Sequence, residues 1–372
     1  MMLGGLFGPV IALSLPISAI GAIATIHRFP VNLARPLTIT VGFLIAWCIF
    51  WLGINYAGNS SDPAHAELAA TIALWLGMLA LSFLIPIYST GFQKLQVGSL
   101  LLMGFLAVTF IDETTLMTVT VNEDGAASYQ GVARSLMIVG FLVISCTSDT
   151  MRRIFIAAFT ITALFVIGSR SELYGFIAAY ALLEGVLSRN SRFSQFTLVV
   201  LVAVTFWLAL QNMNFLAASR QFEVFNLEQS SSWAAREYML VYAQQQVVEN
   251  PFFGVYGGHW NLGEGEYAHN ALSAWVSLGF PGFALLIAAC GCALIVSIRG
   301  LIKLPYSRWA KFATLVNVSN LLLLAVAKPV FWEMPAFGWG LALIVAQEWR
   351  SVNVYKQRNL ETSCQSQLRT GD

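Results

Sequence analysis

Residues 37–57 read LTITVGFLIAWCIFWLGINYA, a stretch of 21 residues without a charged side chain. An α-helix rises about 1.5 Å per residue, so about 20 apolar residues cross the hydrocarbon core of a bilayer, which is about 30 Å thick. This stretch therefore predicts a membrane-spanning helix.

Similar apolar runs recur along the whole chain. Of its 372 residues, 57% are hydrophobic and only 10% are charged, whereas about a quarter of the residues in a soluble domain are charged. About eleven runs, with a range of ten to twelve, lie near residues 3–26, 37–57, 67–88, 95–111, 132–147, 153–168, 171–188, 196–211, 270–298, 312–327 and 335–348. We predict an all-α, polytopic membrane domain over residues 1–354 and a polar cytoplasmic tail over 355–372. The composition argues against a cytosolic enzyme, a nucleic-acid-binding protein and a disordered scaffold.

The charges predict which way the chain lies in the membrane. Cytoplasmic loops are enriched in Lys and Arg. If Arg28 and Arg35 are cytoplasmic, the N-terminus lies outside the cytoplasm and the C-terminus lies inside it. With this orientation, 15 of the 20 basic residues are cytoplasmic and 14 of the 19 acidic residues are on the outer side. The basic residues left on the outer side are Arg134, Arg170, Arg220, Arg236 and Lys328.

The one large loop between runs, residues 211–269, is predicted to lie outside. Ser230–Ser232 supply an N-cap, and residues 233–249 predict an amphipathic helix that ends at Asn250-Pro251. Trp233, Leu240 and Val247 fall close to one face of this helix. Arg236 lies one helical turn from both Trp233 and Leu240. It is either a side chain that snorkels from a helix at the membrane surface or a functional cation.

Arg170 lies in a very short outer turn between two apolar runs. An arginine at membrane depth costs about 2.5–3.5 kcal/mol, so it needs a compensating partner. In a purely structural role, the partner is Glu172 or a lipid headgroup. In a functional role, Arg170 belongs to a phosphate-binding site, since its planar guanidinium binds two oxygens at once.

Several short motifs occur in a defined order over residues 168–282. They are Gly168-Ser169-Arg170, Arg236, Asn250-Pro251-Phe252-Phe253-Gly254, His269-Asn270 and Gly279-Phe280-Pro281-Gly282. Because these motifs occur in this order, the chain resembles the O-antigen ligase and Wzy polymerase superfamily of bacterial polysaccharide assembly. The resemblance implies transfer of a glycan from undecaprenyl pyrophosphate to a sugar hydroxyl at the outer face of the bacterial inner membrane.

The resemblance also implies roles for individual residues. His269 is the expected general base, because an unperturbed imidazole titrates near pH 6.5. Arg236 and Arg170 are expected to stabilise the pyrophosphate leaving group, and direct displacement would invert the anomeric configuration. The residues expected to bind pyrophosphate or glycan are Arg220, Asn270, Trp260 and Ser169, with Arg134 behind them. Without the surrounding motifs, His269 would be interpreted as an interfacial residue at the start of a helix.

The predicted partner is a membrane lipid-linked oligosaccharide, together with a flippase and a chain-length regulator of the same pathway. We expect a polymerase of surface polysaccharide, with a ligase that attaches the chain to lipid A-core as the alternative. A flippase or transporter is a further alternative from a different class.

We expect no metal and no other cofactor. A metal site would use the side chains of His259, Glu264, Glu266 and His269. Their spacing matches no standard site, and Gly263 and Gly265 leave the segment loose.

Overall fold

A computed structural model describes residues 35–58, 62–88, 98, 101, 129–187, 231–263 and 266–369. All regular secondary structure in these residues is helical, as predicted. The α-helices are α1 (Arg35–Gly58), α2 (Pro63–Tyr88), α3 (Tyr129–Cys146), α4 (Thr150–Ile167), α5 (Arg170–Leu187), α6 (Ser231–Glu249), α7 (Leu272–Lys303), α8 (Arg308–Val326) and α9 (Met334–Arg369), and a short 3-10 helix covers Gly258–Asn261.

Among the described residues, five helices are long and apolar enough to cross a membrane: α1, Pro63–Phe83 of α2, α4, α7 and α8. The chain thus has the helices of a multi-pass membrane protein. Eight of the predicted runs correspond to α1 to α5 and α7 to α9. The runs at 3–26 and 196–211, and most of the run at 95–111, lie outside the described residues, so the count of eleven stays a prediction.

The helix ends follow from local sequence. Asp62 precedes Pro63, the first residue of α2, and its Oδ1 accepts a hydrogen bond from the Ala64 N–H at 2.9 Å. Proline is favoured at this position because its missing N–H would have no helical partner. Asp149 caps α4 in the same way, through the Arg152 N–H. The tight turn from α4 into α5 uses Gly168, whose φ of 80° lies in the left-handed region.

Helix α8 is at the centre of the bundle. It packs against α3, α5, α7 and α9, and 72% of its spanning stretch is buried. The side chain of Asn317 donates to Ser297 Oγ on α7 at 3.0 Å and to the Gly338 carbonyl on α9 at 2.9 Å. These hydrogen bonds connect the three C-terminal helices within their apolar core.

The connections between helices define two faces. Residues 168–169, 250–263, 266–271 and 327–333 lie on one face. Two contacts show this: Lys328 forms an ion pair with Glu172 at the start of α5, and the Val330 N–H donates to Ser273 Oγ at the start of α7. We call this the site face. The opposite ends of the helices form the basic face, which carries Arg35, Arg152, Arg153, Arg299, Lys303, Arg308, Lys311 and Arg350.

A buried ion pair joins α4 and α5 near the basic face. Arg153 donates from Nε and Nη2 to the two carboxylate oxygens of Glu184, at 2.6 and 3.0 Å. Its third nitrogen donates to the Ser148 carbonyl at 2.7 Å. Both charges therefore have partners, which a buried ion pair requires. Among the described residues, the predicted sorting of basic side chains onto one face agrees with the structure.

Candidate functional site

The predicted amphipathic helix is α6, and it ends at Glu249, directly before Asn250-Pro251 as predicted. Its buried positions are Met239, Ala243, Gln246 and Val247. Ala243 and Val247 pack against Ala268 and Val276, so α6 is held against the start of α7. Leu240 is half-buried. The structure describes the backbone of Trp233 but not its side chain.

Helix α7 is interrupted where the sequence reads Gly279-Phe280-Pro281-Gly282. Gly279 has φ 69° and ψ 177°, a conformation that no helix contains, and Pro281 lacks an N–H. Several backbone groups on either side therefore lose their helical partners. The Phe280 N–H donates to the Phe252 carbonyl at 2.9 Å, and the Val276 carbonyl accepts from the Val255 N–H at 2.8 Å. The Asn250–Gly254 motif thus supplies partners for the break.

Two tryptophans of α1 complete this hydrogen bonding. Trp51 Nε1 donates to the Ser277 carbonyl at 3.0 Å, and Trp47 Nε1 donates to the Leu278 carbonyl at 2.8 Å. Neither tryptophan was predicted from the sequence to contact α7. The signal that could have identified them is the proline in α7, which frees carbonyls that need donors.

The turn at residues 250–254 and the break in α7 approach so closely that only glycine fits. A Cβ atom on Gly254 would lie 2.2 Å from the Val276 carbonyl oxygen, and one on Gly279 would lie 2.6 Å from the Phe252 oxygen. Both glycines also have positive φ. The two motifs therefore form one structural unit that fixes the residues leading to His269.

His269 lies on the site face, immediately before α7. Its ring lies against that of Tyr267, with centroids 5.2 Å apart. Burial of the ring, and after it the positive charges of Arg236 and Lys328, lower the pKa of His269 to about 4. The ring is therefore neutral at pH 7. Arg236 and Lys328 both lie close enough to His269 for their charges to act on its ring. The catalytic roles expected of Arg236 and His269 stay predictions.

Asn270 caps α7. Its Oδ1 accepts from the Leu272 N–H at 2.9 Å, and its carbonyl accepts from the Ser273 hydroxyl at 2.8 Å. These contacts hold the start of α7, and the expected binding of pyrophosphate or glycan by Asn270 stays a prediction.

Arg170 is the first residue of α5 and is half-buried. The nearby carboxylate of Glu172 is fully buried and lies 2.7 Å from Lys328 Nζ. It also accepts hydrogen bonds from the hydroxyls of Ser169 and Ser171. Ser169 is only 2% exposed, so in this structure its hydroxyl serves the Glu172–Lys328 pair.

The two remaining outer arginines are Arg134 and Arg220. Arg134 forms an ion pair with Glu333, and its guanidinium lies 5.9 Å from the centre of the Trp332 ring. Burial and the charge of Glu67 raise the pKa of Tyr267, and the charge of Arg134 lowers it. Arg134 therefore lies on the site face near Tyr267. Arg220 lies outside the described residues.

Trp260 is adjacent to a polar pair that sequence reasoning missed. His259 Nε2 lies 2.7 Å from Glu67 Oε2, and Trp260 Nε1 donates to the same oxygen at 3.2 Å. Glu67 belongs to α2 and is 192 residues from His259, so no local pattern could have indicated the contact. No cluster of three or more His, Cys, Asp or Glu side chains suited to a metal occurs among the described residues, which do not include Glu264.

No family model matches this sequence, and none of the curated proteins matches it.

Proposed function

We propose that this chain is a membrane glycosyltransferase of the O-antigen ligase and polymerase type. The observation that carries the proposal is the neutral His269 beside the cations Arg236 and Lys328 on one face of a helical membrane protein. A proton acceptor next to fixed positive charges suits a reaction in which a hydroxyl loses its proton and an anion departs.

In the proposed reaction, the acceptor hydroxyl oxygen forms a bond to the anomeric carbon of the donor sugar. The bond from that carbon to the pyrophosphate oxygen breaks, and the electron pair leaves with undecaprenyl pyrophosphate. His269 takes the hydroxyl proton and later returns it to solvent. Attack from the side opposite the leaving group inverts the anomeric configuration.

The positive charges serve this reaction in two ways. Arg236 and Arg170 attract the pyrophosphate and stabilise the negative charge that builds up as it leaves. A bound pyrophosphate also offsets the field of Arg236 and Lys328 at His269, which raises the pKa of the imidazole. The base thus becomes stronger when the donor is bound.

We place the protein in the bacterial inner membrane with about eleven spans, and the site face toward the periplasm. The N-terminus is then outside and the C-terminus is cytoplasmic. The basic face would lie in the cytoplasm, in accordance with the positive-inside rule. We propose a polymerase of surface polysaccharide that works with the flippase and chain-length regulator of its pathway.

The test is complementation of a strain that lacks the gene. His269→Ala and Arg236→Ala are expressed in that strain, and the length of its surface glycan is measured on a gel. Arg152→Ala is the matched control, because this arginine is exposed on the basic face. Membrane levels of all variants are compared by immunoblot.

If the protein is a polymerase, we expect the two site variants to produce only single repeat units. The amount of polymer should fall by at least about a hundredfold, which is the typical contribution of a general base. Long lipid-linked chains that stay unattached would instead identify a ligase. Glycans of normal length and amount in both site variants would contradict the proposed function.

A further inference from the structure

Three phenylalanines with exposed rings lie close together near the site face. Phe252 and Phe253 belong to residues 250–255, which we call the aromatic turn, and Phe280 follows the break in α7. Phe252, Phe253 and Phe280 are 55%, 56% and 44% exposed. A phenylalanine ring has no polar group, so a patch of exposed rings marks a surface that contacts something other than water.

The sequence of α7 gives the level of this patch across the membrane. Residues 280–298 contain no charged side chain, and Arg299 follows them at the basic face. At about 1.5 Å per residue these residues form a helix about 28 Å long, which matches a hydrocarbon core about 30 Å thick. Phe280 therefore lies where the hydrocarbon meets the lipid headgroups on the site-face side.

Helix α1 places the aromatic turn at nearly the same level. The ring of Phe253 stacks on that of Trp51, with centroids 5.8 Å apart and an angle of 7° between the planes. Trp51 lies about 24 Å along α1 from Arg35 at the basic face, again at about 1.5 Å per residue. Two spanning helices thus agree that the aromatic turn lies at the edge of the hydrocarbon core.

The aromatic turn directs polar backbone groups toward the protein. The Pro251 carbonyl accepts a hydrogen bond from the indole of Trp275 at 2.7 Å, and the Phe252 carbonyl accepts from the Phe280 N–H at 2.9 Å. At the depth of the hydrocarbon, a non-helical segment is tolerated only where the protein supplies such partners. Inward carbonyls combined with exposed rings suit a segment that dips into lipid.

The polar residues before the turn limit how far it enters the lipid. Glu249, the last residue of α6, is exposed, and its carboxylate accepts from Gln245 Nε2 at 2.8 Å. Asn250 is exposed as well. These groups suit the hydrated headgroup layer, so only the short segment 251–253 would reach the hydrocarbon.

We propose that Phe252 and Phe253 insert into the lipid leaflet on the site-face side and anchor the loop that leads to His269 to the membrane. The partner is the acyl chains of bilayer lipids, just beneath the headgroups. These rings continue the exposed apolar surface of the spanning helix α1, which includes Phe50 and Ile54. The inference goes beyond the proposed function, because it holds whatever reaction the site face carries.

Photocrosslinking in native membranes tests the inference. The photoreactive amino acid p-benzoylphenylalanine replaces Phe252, which keeps an aromatic ring at this position. After irradiation the full-length protein is purified, and its adducts are identified by mass spectrometry. We expect phospholipid adducts at least about tenfold more abundant than with the probe at Asn261, in keeping with the preference of a large apolar side chain for hydrocarbon over water.

Two reference positions calibrate the measurement. Asn261 is an exposed residue of the 3-10 helix on the site face, where we expect the probe to be in water. Phe43 is exposed in the middle of α1, where the probe should give abundant phospholipid adducts. If the probe at Phe252 prevents folding, it is placed at Phe253, with the same expectation.

Two results would overturn the inference. One is a yield of phospholipid adducts at Phe252 as low as that at Asn261. The other is an adduct with a second polypeptide, which would show that a protein covers the aromatic turn.

A pair of substitutions provides an independent measurement. Phe252→Asn and Phe252→Asp remove the same ring and introduce side chains of nearly equal size, but only aspartate is charged. In lipid nanodiscs we expect Phe252→Asp to melt about 2 °C or more below Phe252→Asn, because a charge is costly in hydrocarbon. Gln244→Asn and Gln244→Asp are the control pair at an exposed position of α6 and should melt alike. Equal melting temperatures of the two Phe252 variants would place this ring in water and contradict the inference.

Discussion

His269 is the residue at which burial and charge act together. Its pKa falls to about 4, first because the ring is buried and then because Arg236 and Lys328 lie near it. In an unfolded chain the same ring has an ordinary pKa near 6.5. Between these two pH values the unfolded chain binds a proton that the folded protein does not.

This difference predicts how stability depends on pH. The contribution of the neutral His269 to the free energy of unfolding is fully present above pH 6.5 and is lost as the pH falls toward 4. The free energy of unfolding then changes by at most about 1.4 kcal/mol per pH unit. We expect thermal unfolding in detergent to show a weaker pH dependence in His269→Gln than in the unaltered protein over this range. Arg236→Ala should lie between the two. Identical curves for all three proteins would contradict the assigned environment of His269.

At the scale of the helices, the important feature is the interruption of α7 at Gly279. The freed backbone groups are paired with α1 and with residues 252–255, so the interruption is stabilised by partners distant in sequence. The same contacts hold α6 and the loop that leads to His269. The motifs around Asn250 and Gly279 are therefore expected to affect activity through structure, not through contact with the substrate.

Alanine substitutions test this interpretation. Gly279→Ala and Gly254→Ala would each place a Cβ within 2.6 Å of a backbone oxygen at positive φ. We expect each to lower the free energy of unfolding by about 2 kcal/mol or more. Gly291→Ala is the matched control in the same helix, because its Cβ would meet nothing within 4 Å. The measurement is the melting temperature in detergent. If the melting temperature of Gly291→Ala falls as much as that of the other two variants, the close contact with the backbone oxygen is not the cause of the destabilisation.

At the scale of the whole molecule, the two faces differ in charge and in chemistry. Arg170, Arg236, Lys328 and His269 lie on the site face, whereas most other basic side chains of the described residues lie on the opposite face. The helices determine this relative arrangement. The absolute orientation rests on the positive-inside rule.

Cysteine labelling tests the orientation. In a background without the five native cysteines, single cysteines are introduced as Asn261→Cys on the site face and Ser148→Cys on the basic face, both at exposed positions. We expect a membrane-impermeant maleimide to label position 261 in intact cells and position 148 only after lysis. Full labelling of both positions after lysis is the control. The reverse pattern in intact cells would place the site face in the cytoplasm and rule out the proposed periplasmic reaction.

For the residues that the structure describes, the sequence alone was sufficient to predict the helices, α6 with its end at Asn250, and the separation of charges between two faces. It did not predict the end of α9, which continues to Arg369, beyond the apolar run that ends at 348. These properties depend on the length and periodicity of apolar runs, and on capping residues a few positions away. The tertiary structure was needed for the pairing of Lys328 with Glu172, of Glu67 with His259, and of Trp47 with Leu278. The last two contacts join residues 192 and 231 positions apart. Such contacts arise only when helices pack, because the partner of a buried polar group is whichever group the fold brings within hydrogen-bonding distance.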